Sequence, residues 1–167
     1  MHILAIDTSC DETSVSVLKE TTVLSNVIAS QVDLHKKWGG VVPDIARRAH
    51  TDLLPSVINE ALSRAHVGTD AIDLFAATYG PGLAIALEVG LKTAQELAIA
   101  HNTPFAPVNH MEGHLLSPFA RNAKGNHPNP PKENSFPYIG LLVSGGHTEL
   151  ILMKNFGEYT LIGETLD

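Results

Sequence analysis

The chain of 167 residues contains one cysteine, Cys10. That excludes a disulfide within the chain and fits a reducing compartment. No apolar run approaches the roughly 20 residues that span a bilayer. The opening, Met1-His2-Ile3-Leu4-Ala5-Ile6-Asp7, has no basic stretch of the kind that starts a secretory leader, and it meets an acid after four apolar residues. A cytoplasmic setting with no membrane contact is the expectation. Positive charge is also in short supply: 11 basic residues face 18 acidic ones, for a net charge of −7. That deficit argues against a free-standing nucleic-acid binder, which needs clustered Lys and Arg. The weak clusters Lys36-Lys37 and Arg47-Arg48 read as solvated surface. Apolar side chains are plentiful, at 44% hydrophobic against 17% charged. The composition is that of a globular domain with a real core, and disorder of the whole chain is excluded.

Hydrophobic periodicity divides the chain into elements. Ile3 to Asp7 is a short apolar run. Ser14-Val15-Ser16-Val17-Leu18 alternates with the period of a half-buried strand, and Thr21 to Ala29 is a third strand-like run. A small polar loop, Thr8 to Thr13, separates the first two. Asp44 to Ala65 reads as helical, with an apolar stripe from Leu53 to Ala65. Because Pro55 is tolerated only near a helix start, the spacing predicts that the helix begins near Thr51. Ile72 to Thr78 is a buried strand, Gly80-Pro81-Gly82 a forced turn, Ala84 to Ala100 a long buried helix, and Phe105 to Val108 another strand.

From Arg121 to Ser135 the composition shifts to Asn, Gly, Pro and Lys, as in a linker. Beyond it, Tyr138 to Val143, Thr148 to Met153 and Tyr159 to Ile162 read as three more strands, repeating the plan of residues 3 to 29. The expected organisation is a lobe over residues 1–120, a linker over 121–136 and the start of a second, related lobe over 137–167. Three strands with no helix to cover them would be marginally stable, so the second lobe reads as cut short.

Several residues could carry chemistry. In His110-Met111-Glu112-Gly113-His114 the two histidines stand four apart, so on a helix they share a face and could grip one metal ion. The alternative is a chance spacing on a surface helix. The zinc-protease order, with Glu directly after the first His, is absent: Met111 holds that place. Ser144-Gly145-Gly146-His147 lies between two strands, where consecutive glycines either form an anion nest or simply close a hairpin. The loop Asp7 to Thr13 is acidic; its carboxylates could orient a metal, a water or a ligand hydroxyl, or form an ordinary polar turn. Cys10 beside Asp11 is a poor nucleophile, because neighbouring acids raise a thiol's pKa. Gly80-Pro81-Gly82 opens a helix whose N-terminus could receive an anion, or is a turn that topology requires.

Five motifs appear in order: Ile6-Asp7-Thr8-Ser9-Cys10-Asp11-Glu12-Thr13, Gly39-Gly40-Val41-Val42-Pro43, Gly80-Pro81-Gly82-Leu83, His110-Met111-Glu112-Gly113-His114 and Leu142-Val143-Ser144-Gly145-Gly146-His147-Thr148. Together they resemble the bacterial tRNA adenosine threonylcarbamoyltransferase family, once labelled O-sialoglycoprotein endopeptidase, over the entire chain. The resemblance implies an α/β, actin/Hsp70/sugar-kinase-like (ribonuclease-H-like) fold of two related lobes. It implies transfer of threonylcarbamoyl from threonylcarbamoyl-adenylate to N6 of adenosine 37 in tRNAs that read codons starting with A. It implies that His110 and His114 bind one iron or zinc ion, completed by an Asp of the C-terminal lobe. It implies that Leu142, Val143, Ser144, Gly145, Gly146 and His147 belong to an adenylate-binding loop, and that Asp11 and Glu12 face the reacting group. The partners it implies are tRNA, a smaller related non-catalytic subunit docked on N-terminal-lobe helices, and an ATPase subunit.

Three rival readings are a metallopeptidase, an ATP-driven kinase or chaperone on the same fold, and a non-catalytic scaffold. The misplaced Glu112 counts against the first. The second needs no paired histidines, and a pure scaffold has no reason to keep them. With the third metal ligand expected outside this chain, the chain by itself is expected to be inactive. Measurable threonylcarbamoyl transfer by the isolated chain would overturn that expectation.

Overall fold

The computed structural model describes residues 1–123, 131, 135–144 and 148–165. Two sheets organise them. The larger has six strands in the order β5-β4-β1-β2-β3-β6. Its first three are β1 (His2–Asp7), β2 (Glu12–Lys19) and β3 (Thr22–Ser30), an antiparallel meander. β4 (Leu74–Gly80) and β5 (Phe105–Asn109) add on parallel to β1, and the two-residue β6 (Arg121–Asn122) pairs with β3. This mixed α/β sheet is the ribonuclease-H-like lobe of the actin and Hsp70 class.

Two helices cover one face, α2 (Pro43–Ala65) and α3 (Ala84–Ala100), which pack on the sheet and on each other. The alternation legible in the sequence sets which side chains point at them. Leu4, Ile6, Val15 and Val17 point inward and meet Leu54, Val57, Ile58 and Ala61 of α2 and Ala94 and Ala98 of α3. A short helix, α1 (Val32–His35), with a single 3-10 turn after it, carries the chain from β3 towards α2. No described helix is long and apolar enough to cross a membrane.

The start of α2 differs from the sequence expectation. The helix begins at Pro43, not near Thr51, and Pro55 lies in its interior. Pro43 occupies the first turn, where a missing N–H costs nothing. Pro55 is on the exposed face, so the Thr51 carbonyl that it leaves unpartnered faces water. The buried stripe also extends upstream of Leu53, through Ala46 and His50. Burial of that stripe outweighs a local penalty of about 3 kcal/mol.

The three strands β7 (Tyr138–Val143), β8 (Thr148–Asn155) and β9 (Glu158–Glu164) form the second sheet, an antiparallel meander with the connectivity of β1–β3. One face leans on α4 (His110–Leu116). The other leaves Ile139, Leu141 and Val143 exposed. Phe119, Phe136, Tyr138 and Phe156 cluster where this sheet begins, mostly edge to face, with ring centroids 5.0–6.2 Å apart.

One contact of α3 places the end of β1. The Thr8 hydroxyl donates to the Ala86 carbonyl at 2.8 Å and accepts the Gly90 N–H at 3.2 Å. A Cβ at position 90 would stand 2.6 Å from Thr8 Oγ1. Gly90→Ala is therefore expected to displace Thr8 and destabilise the fold by about 1–3 kcal/mol, against the small gain that Ala normally brings to a helix interior. Urea denaturation of the two proteins checks the sign.

Candidate metal and adenylate site

The two histidines sit on α4, a helix of 7 residues. Asn109 caps it: its side-chain oxygen accepts the Met111 N–H at 2.9 Å and the Glu112 N–H at 3.1 Å. Because Asn109 also ends β5, the helix starts directly from a strand of the main sheet, and its first residue is His110. One turn later His114 returns to the same side. The rings meet edge to face with centroids 4.5 Å apart, and the two Nε2 atoms are 3.1 Å apart.

Asp7 fixes which nitrogen of His110 is free. Its Oδ2 lies 2.9 Å from His110 Nδ1 and accepts the Thr78 hydroxyl at 2.5 Å, while Oδ1 accepts the Ser9 N–H at 2.9 Å. Burial pushes the Asp7 carboxyl up, but the hydrogen bonds from Thr78, Ser9 and His110 outweigh it and hold the group below the usual carboxylate range. An ionised carboxylate can only accept, so His110 Nδ1 carries a proton; in the neutral ring the lone pair is then on Nε2, the nitrogen turned towards His114.

Two cavities, each of about 410 Å³, meet at the histidine pair. One is walled by Asp7, Ser9, Cys10, Asp11, Glu12, Ser14, Ile28 and Thr78 together with His110 and His114. The other is walled by Pro81, Gly82 and Met111, the same histidines, and Leu141, Leu142, Val143 and Ser144 of the second sheet. Asp11 and Glu12 thus share a cavity with both histidines, as do Leu142, Val143 and Ser144 on the other side. Gly145, Gly146 and His147 lie outside the described residues. The Gly80-Pro81-Gly82 turn brings Gly82 (φ 154°) against Ser9, whose carbonyl accepts the Leu83 N–H at 2.7 Å. Burial raises the Cys10 thiol pKa and Asp11 raises it further, which disfavours a thiolate.

Glu112, between the histidines in sequence, faces elsewhere. It accepts the Tyr159 hydroxyl at 2.7 Å and walls neither cavity. The Tyr159 hydroxyl pKa is raised, first by burial and then by this bond. The basic clusters are on the surface, where Lys36 pairs with Asp33 at 2.6 Å and Arg47 lies 3.8 Å from Asp44.

The residues present fit a metal in part. Two ligands at about 2.0–2.1 Å from one ion, subtending between a right angle and a tetrahedral angle, stand about 2.9–3.4 Å apart. The 3.1 Å between the Nε2 atoms falls within that range. A carboxylate on the far nitrogen is the usual support for a ligating imidazole. Among the described residues, no group of three His, Cys, Asp or Glu is placed to hold an ion. This chain therefore offers two ligands and one orienting carboxylate. The role of Asp7 was not separable in sequence from the rest of its acidic loop. It follows from the parallel pairing of Ile6 with Ala77, which sets Asp7 beside Thr78, and from β5, which delivers His110 to the same edge.

The family described as tRNA N6-adenosine threonylcarbamoyltransferase matches residues 22–167. Curated proteins of that name are similar: one from Streptococcus sanguinis (strain SK36) is 51% identical over 167 residues, covering 99% of this chain and 47% of its own length. Another, from Anaeromyxobacter sp. (strain Fw109-5), is 47% identical over 168 residues, covering 100% of this chain and 48% of its own length. The chain spans about half the length of these relatives. Among solved structures, YeaZ from Pseudomonas aeruginosa superposes with a TM-score of 0.58 at 19% identity, covering 99% of this chain and 68% of that one. At that identity the likeness shows the fold alone.

The depressed Asp7 pKa has a definite stability signature. As pH falls, the unfolded chain takes up a proton on Asp7 before the folded one does, so the stability contributed by Asp7 is present above its ordinary value of 3.8 and is lost below it. In a urea titration series from about pH 5 down to pH 2.5, Asp7→Asn is expected to lose stability less steeply than the parent protein.

Proposed function

Because the chain belongs to the tRNA N6-adenosine threonylcarbamoyltransferase family, we propose that it supplies the metal-holding and adenylate-facing half of a site that moves threonylcarbamoyl from threonylcarbamoyl-adenylate to N6 of adenosine 37 in tRNAs reading codons that begin with A. The observation that carries this reading is the placement of one imidazole pair between two cavities, one lined by Asp11 and Glu12 and the other by Leu142, Val143 and Ser144.

In this reading His110 and His114 hold one divalent ion, Fe2+ or Zn2+, with a third ligand, an Asp, contributed from outside this chain. When bound, the ion supplies Lewis-acid polarisation of a carbonyl or phosphate oxygen. Asp7 keeps the His110 lone pair aimed at the ion's position. The strand end at Leu142 to Ser144, with Gly145, Gly146 and His147, receives the adenylate through backbone donors. Asp11 and Glu12 orient the group being transferred. The adenosine amine attacks the carbamoyl carbon, the bond from that carbon to the phosphate oxygen breaks, AMP leaves, and the amine gives up a proton. No enzyme nucleophile enters, in keeping with the raised pKa of Cys10.

The division into a lobe over 1–120, a linker over 121–136 and a second lobe from 137 belongs to the same proposal. So do a cytoplasmic setting, the tRNA substrate, an ATPase subunit and a related non-catalytic subunit seated on the outer faces of α2 and α3. In this reading most tRNA affinity comes from those partners and from the other half of the protein, which the net charge of −7 on this chain supports. The metallopeptidase reading loses its candidate base, because Glu112 accepts the Tyr159 hydroxyl and walls neither cavity.

The test uses a full-length protein carrying this chain, assembled with its partners. His110→Ala and His114→Ala are each expected to lower bound metal and to cut transfer of labelled threonylcarbamoyl into tRNA by about 100-fold or more. Undiminished transfer in either variant would sink the proposal.

A further inference from the structure

His50 is a fully buried polar side chain that the reading above leaves without a task. It sits on α2 at 0% exposure, and all three of its hydrogen bonds go to other elements. Its Nε2 lies 3.0 Å from the Cys10 carbonyl, which can only accept, so Nε2 carries the proton. Nδ1 must then accept, and it takes the Thr13 hydroxyl at 2.8 Å and the Gln31 amide at 3.1 Å. The Gln31 side-chain oxygen accepts from His35 Nε2 at 3.2 Å, and His35 Nδ1 accepts the Val42 N–H at 3.3 Å. A carbonyl at one end and an N–H at the other leave the chain of bonds one proton arrangement. It joins the first acidic motif to the Gly39–Pro43 motif, which otherwise has no part in the site.

The direction of these bonds matters for Asp11 and Glu12. The loop that carries them is held at its backbone: Ser9 O by the Leu83 N–H, Cys10 O by His50 and Asp11 O by the Gln31 N–H at 2.8 Å. Thr13, immediately after the two acids, is tied to the other nitrogen of the same imidazole. Burial lowers the His50 pKa despite the nearby Asp7 and Asp11, so the neutral ring that this arrangement needs is the one present at neutral pH.

We propose that His50 is the positioning residue of the Cys10–Thr13 loop, aiming the Asp11 and Glu12 carboxylates into the cavity that His110 and His114 close. This rests on the transferase reading only for what the carboxylates face. Replacing His50 by Ala leaves the Cys10 carbonyl and the Thr13 hydroxyl without partners. Gln keeps an N–H within reach of Cys10.

The experiment compares the parent protein, His50→Ala, His50→Gln and Leu54→Ala, a purely apolar truncation on the same helix, in the full-length protein with its partners. His50→Ala is expected to lower kcat about 10–100-fold, with bound metal unchanged and KM for threonylcarbamoyl-adenylate within about threefold. His50→Gln is expected to recover most of the loss, and Leu54→Ala, assayed well below its melting temperature, to keep the parent kcat. The proposal is overturned if His50→Ala keeps its kcat, if Gln rescues nothing, or if Leu54→Ala loses as much. Should the parent itself show no transfer, the functional reading fails alone. Amide hydrogen exchange at residues 11–13 then decides: about tenfold faster in His50→Ala and unchanged in His50→Gln supports positioning, and parent-like exchange in His50→Ala ends it.

Discussion

The bond between Asp7 and His110 is the constraint on which the site depends. It spans 103 positions of sequence and ties the end of the first strand to the first residue of α4, the helix that carries both histidines. Without it the imidazole could present either nitrogen; with it only Nε2 faces the cavities. The bond exists because β1, β4 and β5 run parallel and end at one edge, which is where open α/β sheets place their functional residues. The ionised state of Asp7 is in turn maintained by Thr78 and Ser9, one from the neighbouring strand and one from the loop that follows.

Much of the fold was legible because burial imprints its period on the chain. The alternation at Val15 and Val17 gave a strand with one buried face, and the long run from Ala84 to Ala100 gave a helix with the bounds observed. The start of α2 departs from the sequence expectation because Pro55 is a strong local signal, whereas the burial of Ala46 and His50 that overrides it leaves only a faint one. The site was half legible. The spacing of His110 and His114 announces a shared face, and the five motifs announce a family. The partners of those residues could not be read, because Asp7 with His110, Thr13 with His50 and Glu112 with Tyr159 meet only after the sheets are assembled. Hydrogen bonds between distant positions carry no periodicity.

The buried polar groups are concentrated on the side of the lobe that faces the cavities. Thr8, Thr13, Gln31, His35 and His50 are all buried and hydrogen-bonded, and together they tie the acidic loop to α3, to α2 and to the Gly39–Pro43 segment. Farther from that loop, α2 and α3 meet the sheet through an apolar cluster that includes Leu54, Val57, Ile58, Ala61, Ala94 and Ala98. A satisfied polar network in a low-dielectric interior is costly to rearrange, so the loop is held in one position while the apolar core supplies most of the stability.

Gly140 of β7 lies against the Leu115 side chain of α4, so closely that a Cβ there would collide with it. Tyr159 of β9 holds Glu112, two residues along the helix from either imidazole. The second sheet therefore rides on the same short helix that carries the histidines, with a single hydrogen atom of Gly140 as the spacer. Any sliding of that sheet reaches the imidazoles as a push on their own backbone, and the lever arm is one helical turn.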